Sequence, residues 1–415
     1  VPSPIADSSF SLVFSFLPLH RSPRLLVLMM RSSSFVSKKG KTTRRKVKDR
    51  RTPSLPSDGT QNASSRSTRK VKASSKRKVA KKEEKVREPS STKEKERSGR
   101  PVCTSNKEQR NNFEPPGKKA MREFVLQACK AGVNGLLAEF NEIKKQTQAI
   151  GETPKAAFDS NPTKNRYKDV FCVDQDRVVL SSSSDCPGDY IHGNWAETCD
   201  GRKYICTQGP IPSTIEDFWR MVLQEQCKCI IMLCNIIEAG KKKCEQYWPA
   251  EVEEQATYGK ITVQNTKKEE WIEIMTVTTL TVTDSKNSLT VQHIQWNNWP
   301  DRGVPRETMA CLQLIRRVST LSPVVIHCSA GIGRTGTIVA FDQAYTKMLR
   351  GETVSFKQLL VDLRMRRHGS IQTDMQYVFV HKVLVDIALS RMVVTADEVK
   401  EFLGKYEELC TARGM

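Results

Sequence analysis

PVVIHCSAGIGRTGTIVAF, residues 323–341, decides the reading of this chain. Three β-branched residues, Val324 to Ile326, begin a short buried strand that delivers His327 and Cys328 to its C-terminal end. Ser329, Ala330, Gly331, Ile332 and Gly333 follow, and then Arg334 and Thr335 open an apolar helix over 334–349. A tight loop of small residues turns successive backbone N–H groups inward and makes an anion cradle. The helix N-terminus adds its partial positive charge at the same point. A thiol placed at the start of such a loop is stabilised as the thiolate near neutral pH. The guanidinium six positions on matches two oxygens of a tetrahedral dianion in a bidentate fork. Together these parts suit attack by sulfur on phosphorus. The Cys-x5-Arg spacing alone occurs by chance in many chains; the strand before it, the glycines within it and the helix after it are what make it specific. A dinucleotide-binding glycine loop needs neither Cys nor Arg here and wants an acidic residue closing a second strand, which is missing.

Outward from this segment, the periodicity predicts strands at Val178–Leu180, Tyr204–Thr207, Cys229–Cys234, Ile261–Gln264, Ile272–Val282 and Leu289–Trp296, with a turn at 284–287. Helical spacing of Phe124, Ala128, Val133, Leu136, Leu137 and Phe140 predicts one or two helices over 121–146, with a break near Gly132 and Gly135. Capping boxes are expected at Ser213 with Glu216 and at Thr373 with Gln376, and Thr395 is expected to cap a last helix, Ala396–Cys410, that docks or hangs free. The fold class implied is α/β (α+β), one twisted mixed β-sheet flanked by helices.

Charge divides the chain. Residues 1–120 hold 31 Lys and Arg against 10 Asp and Glu, whereas residues 121–415 hold 36 of each. A uniformly basic nucleic-acid-binding fold is thereby excluded, and a basic tail ahead of a neutral domain is expected. From Arg31 to about Gly117 the chain is Ser, Lys, Arg, Pro and Glu with hardly an aromatic, as in KKGKTTRRKVKDRR at 38–51. Such a segment is expected to be disordered, with an anionic membrane, nucleic acid or acidic proteins as its candidate partners. Thirteen scattered cysteines without a CxxC pair, and six well-separated histidines, predict no metal site, no cofactor and a reducing compartment, cytoplasmic or nuclear. No stretch reaches the roughly 20 apolar residues of a membrane span. Phe10–Leu19 resembles a signal-peptide core but follows Asp7 and no basic residue, so a start at Met29 or Met30 is preferred.

The segment HCSAGIGRTG resembles the signature loop of the tyrosine-specific protein phosphatases. NRYKDV (165–170), DYI (189–191), TQGP (207–210), DFWRMV (217–222), EAGKKKCEQYWP (238–249), WPDRGVP (299–305) and QTDMQY (372–377) resemble that family's other motifs, in its order. The likeness covers about residues 118–390 and implies a cysteine-dependent tyrosine phosphatase fold, highly twisted in its sheet, as a single catalytic domain of non-receptor type. The division expected is a tail over 1–117, a catalytic domain over 118–392 and a helical extension over 393–415. Carried over by the resemblance, Cys328 is the nucleophile that forms a phosphocysteine. Arg334 and the amides of Ser329, Ala330, Gly331, Ile332 and Gly333 bind the phosphoryl oxygens. Asp301 is the general acid and then the base. Trp299 anchors its loop. Gln372 positions the water with Gln376 nearby, Thr335 helps the sulfur leave, and His327 tunes the thiolate. Glu238 holds Arg334, and Lys243 meets Asp301. Tyr167 stacks on the substrate ring and Asp169 holds the substrate main chain. Lys168 favours acidic neighbours of the phosphotyrosine, and Arg364 and Gly369 fall where some members admit a second anion. Two departures stand out. His192-Gly193 replace the usual Asn-Ala after DYI, which puts in doubt the packing under the NRY loop, and Arg302 directly follows the acid.

Overall fold

A computed structural model of the chain describes residues 115–148, 153–184 and 186–415. The basic tail and both candidate initiators lie outside the described residues, apart from 115–117. The helix predicted at the start of the folded region is α1, Pro116–Gln148, interrupted where Gly132 takes φ 66° and ψ 170°. Gly135 stays helical, so the break belongs to Gly132 alone. The short α2 (Ala156–Ser160) follows. Strands β1 (Arg177–Val179), β2 (Tyr190–Glu197) and β3 (Lys203–Thr207) come next, then α3 (Ile215–Gln224) and β4 (Cys229–Met232). Two-residue strands β5 (Ile237–Glu238) and β6 (Lys241–Lys242) pair as a separate hairpin. A meander of β7 (Gln255–Tyr258), β8 (Ile261–Ile272), β9 (Met275–Thr283) and β10 (Ser288–Trp296) precedes α4 (Thr308–Arg317). Strand β11 (Val324–His327) leads into α5 (Gly333–Leu349), followed by α6 (Phe356–Arg366), α7 (Asp374–Ser390) and α8 (Ala396–Ala412).

Nine strands form one mixed sheet in the order β1-β2-β3-β11-β4-β10-β9-β8-β7. Its centre is parallel, with β11 between β3 and β4 and β10 beside β4, and both wings are antiparallel. The parallel strands CIIM and VVIH are buried at every residue, as strands covered on both faces must be. Helices α1 and α4 to α8 pack among themselves, with α5 also on β3 and β11, while α3 packs on β2, β7 and β8. The last helix docks: Val399, Phe402 and Tyr406 are buried, and it lies against α1 and α7.

Two local expectations change. The Ser213–Glu216 capping box does not form. Pro212 opens a single 3-10 turn, the Ser213 hydroxyl donates to Thr163 O (3.1 Å), and α3 starts only at Ile215. The strand expected at Ile272–Val282 begins after a turn at Glu273–Ile274, because Ile272 ends the longer partner β8. Strands β2, β5, β6 and β7 are additional. At the other end of the meander, the Asp284 carboxylate accepts the N–H groups of Lys286 and Asn287 (2.7 and 2.6 Å), closing the turn expected there.

Candidate active site

Strand β11 ends at His327, and the five residues Cys328 to Ile332 form a loop around the Cys328 sulfur before α5 begins at Gly333. The wrap depends on Gly331. Its φ is +70°, and a Cβ there would sit 2.0 Å from Thr207 O, so only glycine lets the loop lie against β3. The Gly331 N–H donates to Cys328 Sγ (3.2 Å). Burial pushes the Cys328 thiol up, but the Arg334 guanidinium, the Thr335 hydroxyl and N–H, and the Gly331 N–H together outweigh it and hold the thiol below its ordinary value. Thr335 Oγ1 is buried without a partner of regular hydrogen-bond geometry, so it acts on the sulfur as a nearby dipole. Burial instead raises the thiols of Cys229, Cys311 and Cys206, the last to about 12.

Arg334 is almost fully buried and forked onto Glu238 of the small hairpin, at 2.6 Å to Oε1 and 2.9 Å to Oε2. Its Nη1 also donates to Trp299 O (3.0 Å), and Nη2 lies 3.4 Å from Asp301 Oδ1. Burial opposes its charge, but the Glu238 hydrogen bond and the Cys328 sulfur raise its pKa above the usual arginine value. Trp299, 2% exposed, donates Nε1–H to Gly303 O (3.1 Å) and packs edge-on against Trp296 and Phe379, which pins the loop that carries Asp301. Asp301 pairs with Lys243 (2.5 Å) at the mouth of the cleft. Partial burial raises its pKa, yet Lys243, Arg334 and Arg302 pull it below the ordinary carboxylate value. Arg302 itself adopts φ 59°, and its carbonyl accepts the Thr373 hydroxyl (3.4 Å).

A cleft of about 80 Å³ opens above the sulfur. Tyr167 and Asp169 line one side; the Tyr167 hydroxyl is 2.9 Å from Ser329 Oγ, which in turn donates to Lys243 O (3.0 Å). Gln372, just ahead of the Thr373 cap of α7, and Gln376, in the first turn of that helix, line the other side. Gln376 is wholly buried; its Oε1 accepts Gln372 N–H (3.0 Å), while its Nε2 has no protein partner. Cys328, Arg334, Asp301, Gln372, Gln376, Tyr167, Asp169 and Lys243 therefore line one cleft together with Ser329, Ala330 and Gly333, while Glu238 stands behind Arg334, Thr335 beside the sulfur, and Gly331 and Ile332 complete the loop outside the lining. His327 lies behind it, Nδ1 towards Cys328 O (3.2 Å) and Nε2 on the Tyr247 hydroxyl (2.7 Å). Arg364 is not at the mouth: it is buried and spends its guanidinium on Ser370 O, Ile371 O and Thr147 Oγ1, so it offers nothing to a second anion.

Three groups around the site carry no assignment from the sequence. Tyr247 bridges His327 and His293, lying 2.8 Å from His293 Nε2. Arg166, of the NRY motif, donates to Gly209 O (3.0 Å) and Pro210 O (2.6 Å), which fixes the loop bearing Tyr167. Arg367 supports the sulfur loop from below, donating from Nε to Gly331 O (2.9 Å) and from Nη2 to Ala330 O (3.1 Å). The Tyr247 signal lay inside the EQYWP string; nothing in RMRRHGS separated Arg367 from its neighbours.

A strand, a thiol loop, a buried arginine and a carboxylate on a pinned loop define a cysteine-centred phosphate site. Residues 161–386 match the protein-tyrosine phosphatase family, and the chain belongs to that family. Among its relatives, the tyrosine-protein phosphatase Lar-like of Caenorhabditis elegans is 38% identical over 260 residues, covering 61% of this chain and 12% of that protein. Tyrosine-protein phosphatase non-receptor type 18 of Mus musculus is 35% identical over 268 residues, covering 61% of this chain and 59% of its own. The chain thus spans less than two thirds of the length of these relatives. The solved catalytic domain of human protein tyrosine phosphatase non-receptor type 18 superposes with a TM-score of 0.59 at 33% identity, covering 66% of this chain and 99% of that one. The same type 18 phosphatase, in complex with HER2 phosphopeptides, gives a TM-score of 0.60 at 34% identity, covering 65% of this chain and 99% of that one. No helix among the described residues is long and apolar enough to cross a membrane.

Proposed function

We propose that this protein hydrolyses phosphotyrosine in proteins through a phosphocysteine intermediate, a reading carried by one observation. The Cys328 thiol, held below its ordinary value, sits at the floor of a cleft whose walls supply Arg334 and Asp301. The Cys328 thiolate attacks phosphorus as the P–O bond to the tyrosyl oxygen breaks. Arg334, aligned by Glu238, and the loop N–H groups take the charge spread over the phosphoryl oxygens. Asp301 gives its proton to the leaving oxygen. A phosphoryl dianion entering the cleft competes with Asp301 for Arg334 and adds negative charge beside it, so the Asp301 pKa rises and the proton is available. Water oriented by Gln372 and Gln376 then attacks phosphorus, a new P–O bond forming as the P–S bond breaks; Asp301 takes its proton, and phosphate leaves with the thiolate restored, a departure eased by Thr335. His327 acts on the thiolate through the Cys328 main chain. Lys243 meets Asp301 on loop closure. Tyr167 stacks on the substrate ring and sets a depth that phosphoserine does not reach, and Asp169 holds the substrate main chain.

The basic segment 1–117 is assigned to an anionic partner, be it a membrane, nucleic acid or an acidic protein. Residues 118–392 are the catalytic domain and 393–415 its helical extension. The scattered thiols suit the cytosol. The deciding experiment is hydrolysis of phosphotyrosine and phosphoserine peptides by the full chain with chelator present, beside Cys328→Ser. Turnover of phosphotyrosine alone, lost in the variant, is expected. Turnover of both peptides, or turnover that survives the substitution, rejects the reading.

A further inference from the structure

Under the sulfur loop lies a buried polar chain that ends on the substrate-recognition loop. Arg367 is fully buried and donates to the carbonyls of Gly331 and Ala330. Its Nη1 faces two acceptors, Asn194 Oδ1 (2.9 Å) and His192 Nδ1 (3.2 Å). An arginine has only donors, so His192 Nδ1 must carry the lone pair and the ring proton must sit on Nε2. Nε2 lies 2.9 Å from Val170 O, an acceptor that requires this same tautomer. Burial, and then the Arg367 charge, lower the His192 pKa to about 3, so the ring stays neutral. Phe158 meets the ring edge-on, and the Thr207 hydroxyl holds the main chain of His192 by donating to its carbonyl (2.7 Å). Val170 directly follows Tyr167, Lys168 and Asp169, the loop proposed to grip the substrate ring and main chain.

We infer that His192 is a positioning residue that links the two halves of the site, setting the sulfur loop through Arg367 and the Tyr167–Asp169 loop through Val170. This inference rests on the phosphotyrosine reading above. Its two nitrogens do separate jobs, and two substitutions separate them. Asn places an acceptor near the position of Nδ1 but does not reach Val170; Gln places an N–H near the position of Nε2 but offers Arg367 no acceptor there.

The test measures kcat and KM of His192→Asn and His192→Gln on p-nitrophenyl phosphate and on a phosphotyrosyl peptide, with orthovanadate binding by calorimetry and thermal unfolding alongside. One lost hydrogen bond corresponds to an effect of about threefold to tenfold. His192→Asn is expected to keep orthovanadate affinity and p-nitrophenyl phosphate kinetics within about twofold, while peptide KM rises by about that threefold to tenfold. His192→Gln is expected to weaken orthovanadate binding and lower kcat on both substrates by about the same factor, with the ratio of peptide KM to small-substrate KM unchanged. Equal losses on both substrates in both variants, tracking their unfolding temperatures, would mark His192 as merely structural and overturn the inference, and so would two silent variants. Absence of turnover in the unsubstituted protein would count against the proposed function instead; orthovanadate and peptide binding still read out the two halves in that case.

Discussion

Cys328 differs from the other cysteines by what faces it, not by exposure, since it is as buried as most of them. Its pKa is depressed in the fold, so the thiolate persists below the value of about 8.5 at which a free thiol titrates and is lost only as pH falls through the folded pKa. Iodoacetamide at about pH 6.5 is therefore expected to alkylate Cys328 ahead of every other cysteine. Peptide mapping checks the order of labelling, and Arg334→Ala should abolish the preference. Labelling spread evenly over the surface thiols would show that the Cys328 thiol is not activated. Asp301 is tested by the leaving group. Asp301→Asn should lower kcat on phosphotyrosine by about 10²–10⁴-fold, and by much less on p-nitrophenyl phosphate, whose leaving group needs little protonation. Equal losses on the two would remove Asp301 from the role of acid. At this scale the sequence was readable wherever a residue sat in a motif and unreadable where it did not. Arg364, Arg366 and Arg367 are equivalent as text, yet α6 turns Arg364 inward, the backbone turn after α6 buries Arg367, and Arg366 pairs near the surface with Asp176.

Among elements, those announced by β-branched runs or by side-chain caps were legible, as β4, β10, β11 and α7 show. Strand β2 was hidden because YIHGNWAE carries His, Gly and Asn, poor strand formers that its neighbours nevertheless bury at nearly every position. The polar stretch Lys267–Glu270 disguised the second half of β8 in the same way; there the cross-strand ladder to β9 holds the backbone extended. The acid-bearing loop is a shorter element with a sharper test. Trp299 ties it down through Nε1 to Gly303 O, and the Trp299 carbonyl receives Arg334. Trp299→Phe keeps the aromatic packing and loses the first tie. The expected result is a kcat on phosphotyrosine lower by about tenfold with KM within about twofold, because positioning of the acid matters in the transition state and not in binding. A rise in KM at constant kcat would place Trp299 in substrate binding instead.

In the molecule as a whole, the last helix is where apolar docking and ion pairing are separable. Val399, Phe402 and Tyr406 bury the inner face of α8, while two ion pairs hold its ends: Arg122 with Glu398 (3.3 Å to Oε2) at the start, and Arg413 forked on Asp374 (2.6 and 2.7 Å) at the finish. The second pair lands on the first turn of α7, one residue after the Thr373 hydroxyl that reaches Arg302 O beside the proposed acid. Hydrogen bonds from Arg122 and then Thr395 lower Glu398 to about 2, and Arg413 is the first cause that lowers Asp374. Both folded pKa values lie below their unfolded ones. The stability these carboxylates contribute is therefore complete above about pH 4.5 and is lost as pH falls from there towards the folded values. Hydrogen exchange corrected for intrinsic rates should show amides 396–412 losing protection on acidification before those of α5 do. Arg413→Ala should reproduce part of that loss at neutral pH, with exchange in the last turns of α8 faster by roughly fivefold, the scale of one well-formed surface ion pair. If α8 instead keeps its protection down to about pH 3 in step with α5, its apolar face alone holds it, and the two ion pairs only set its register.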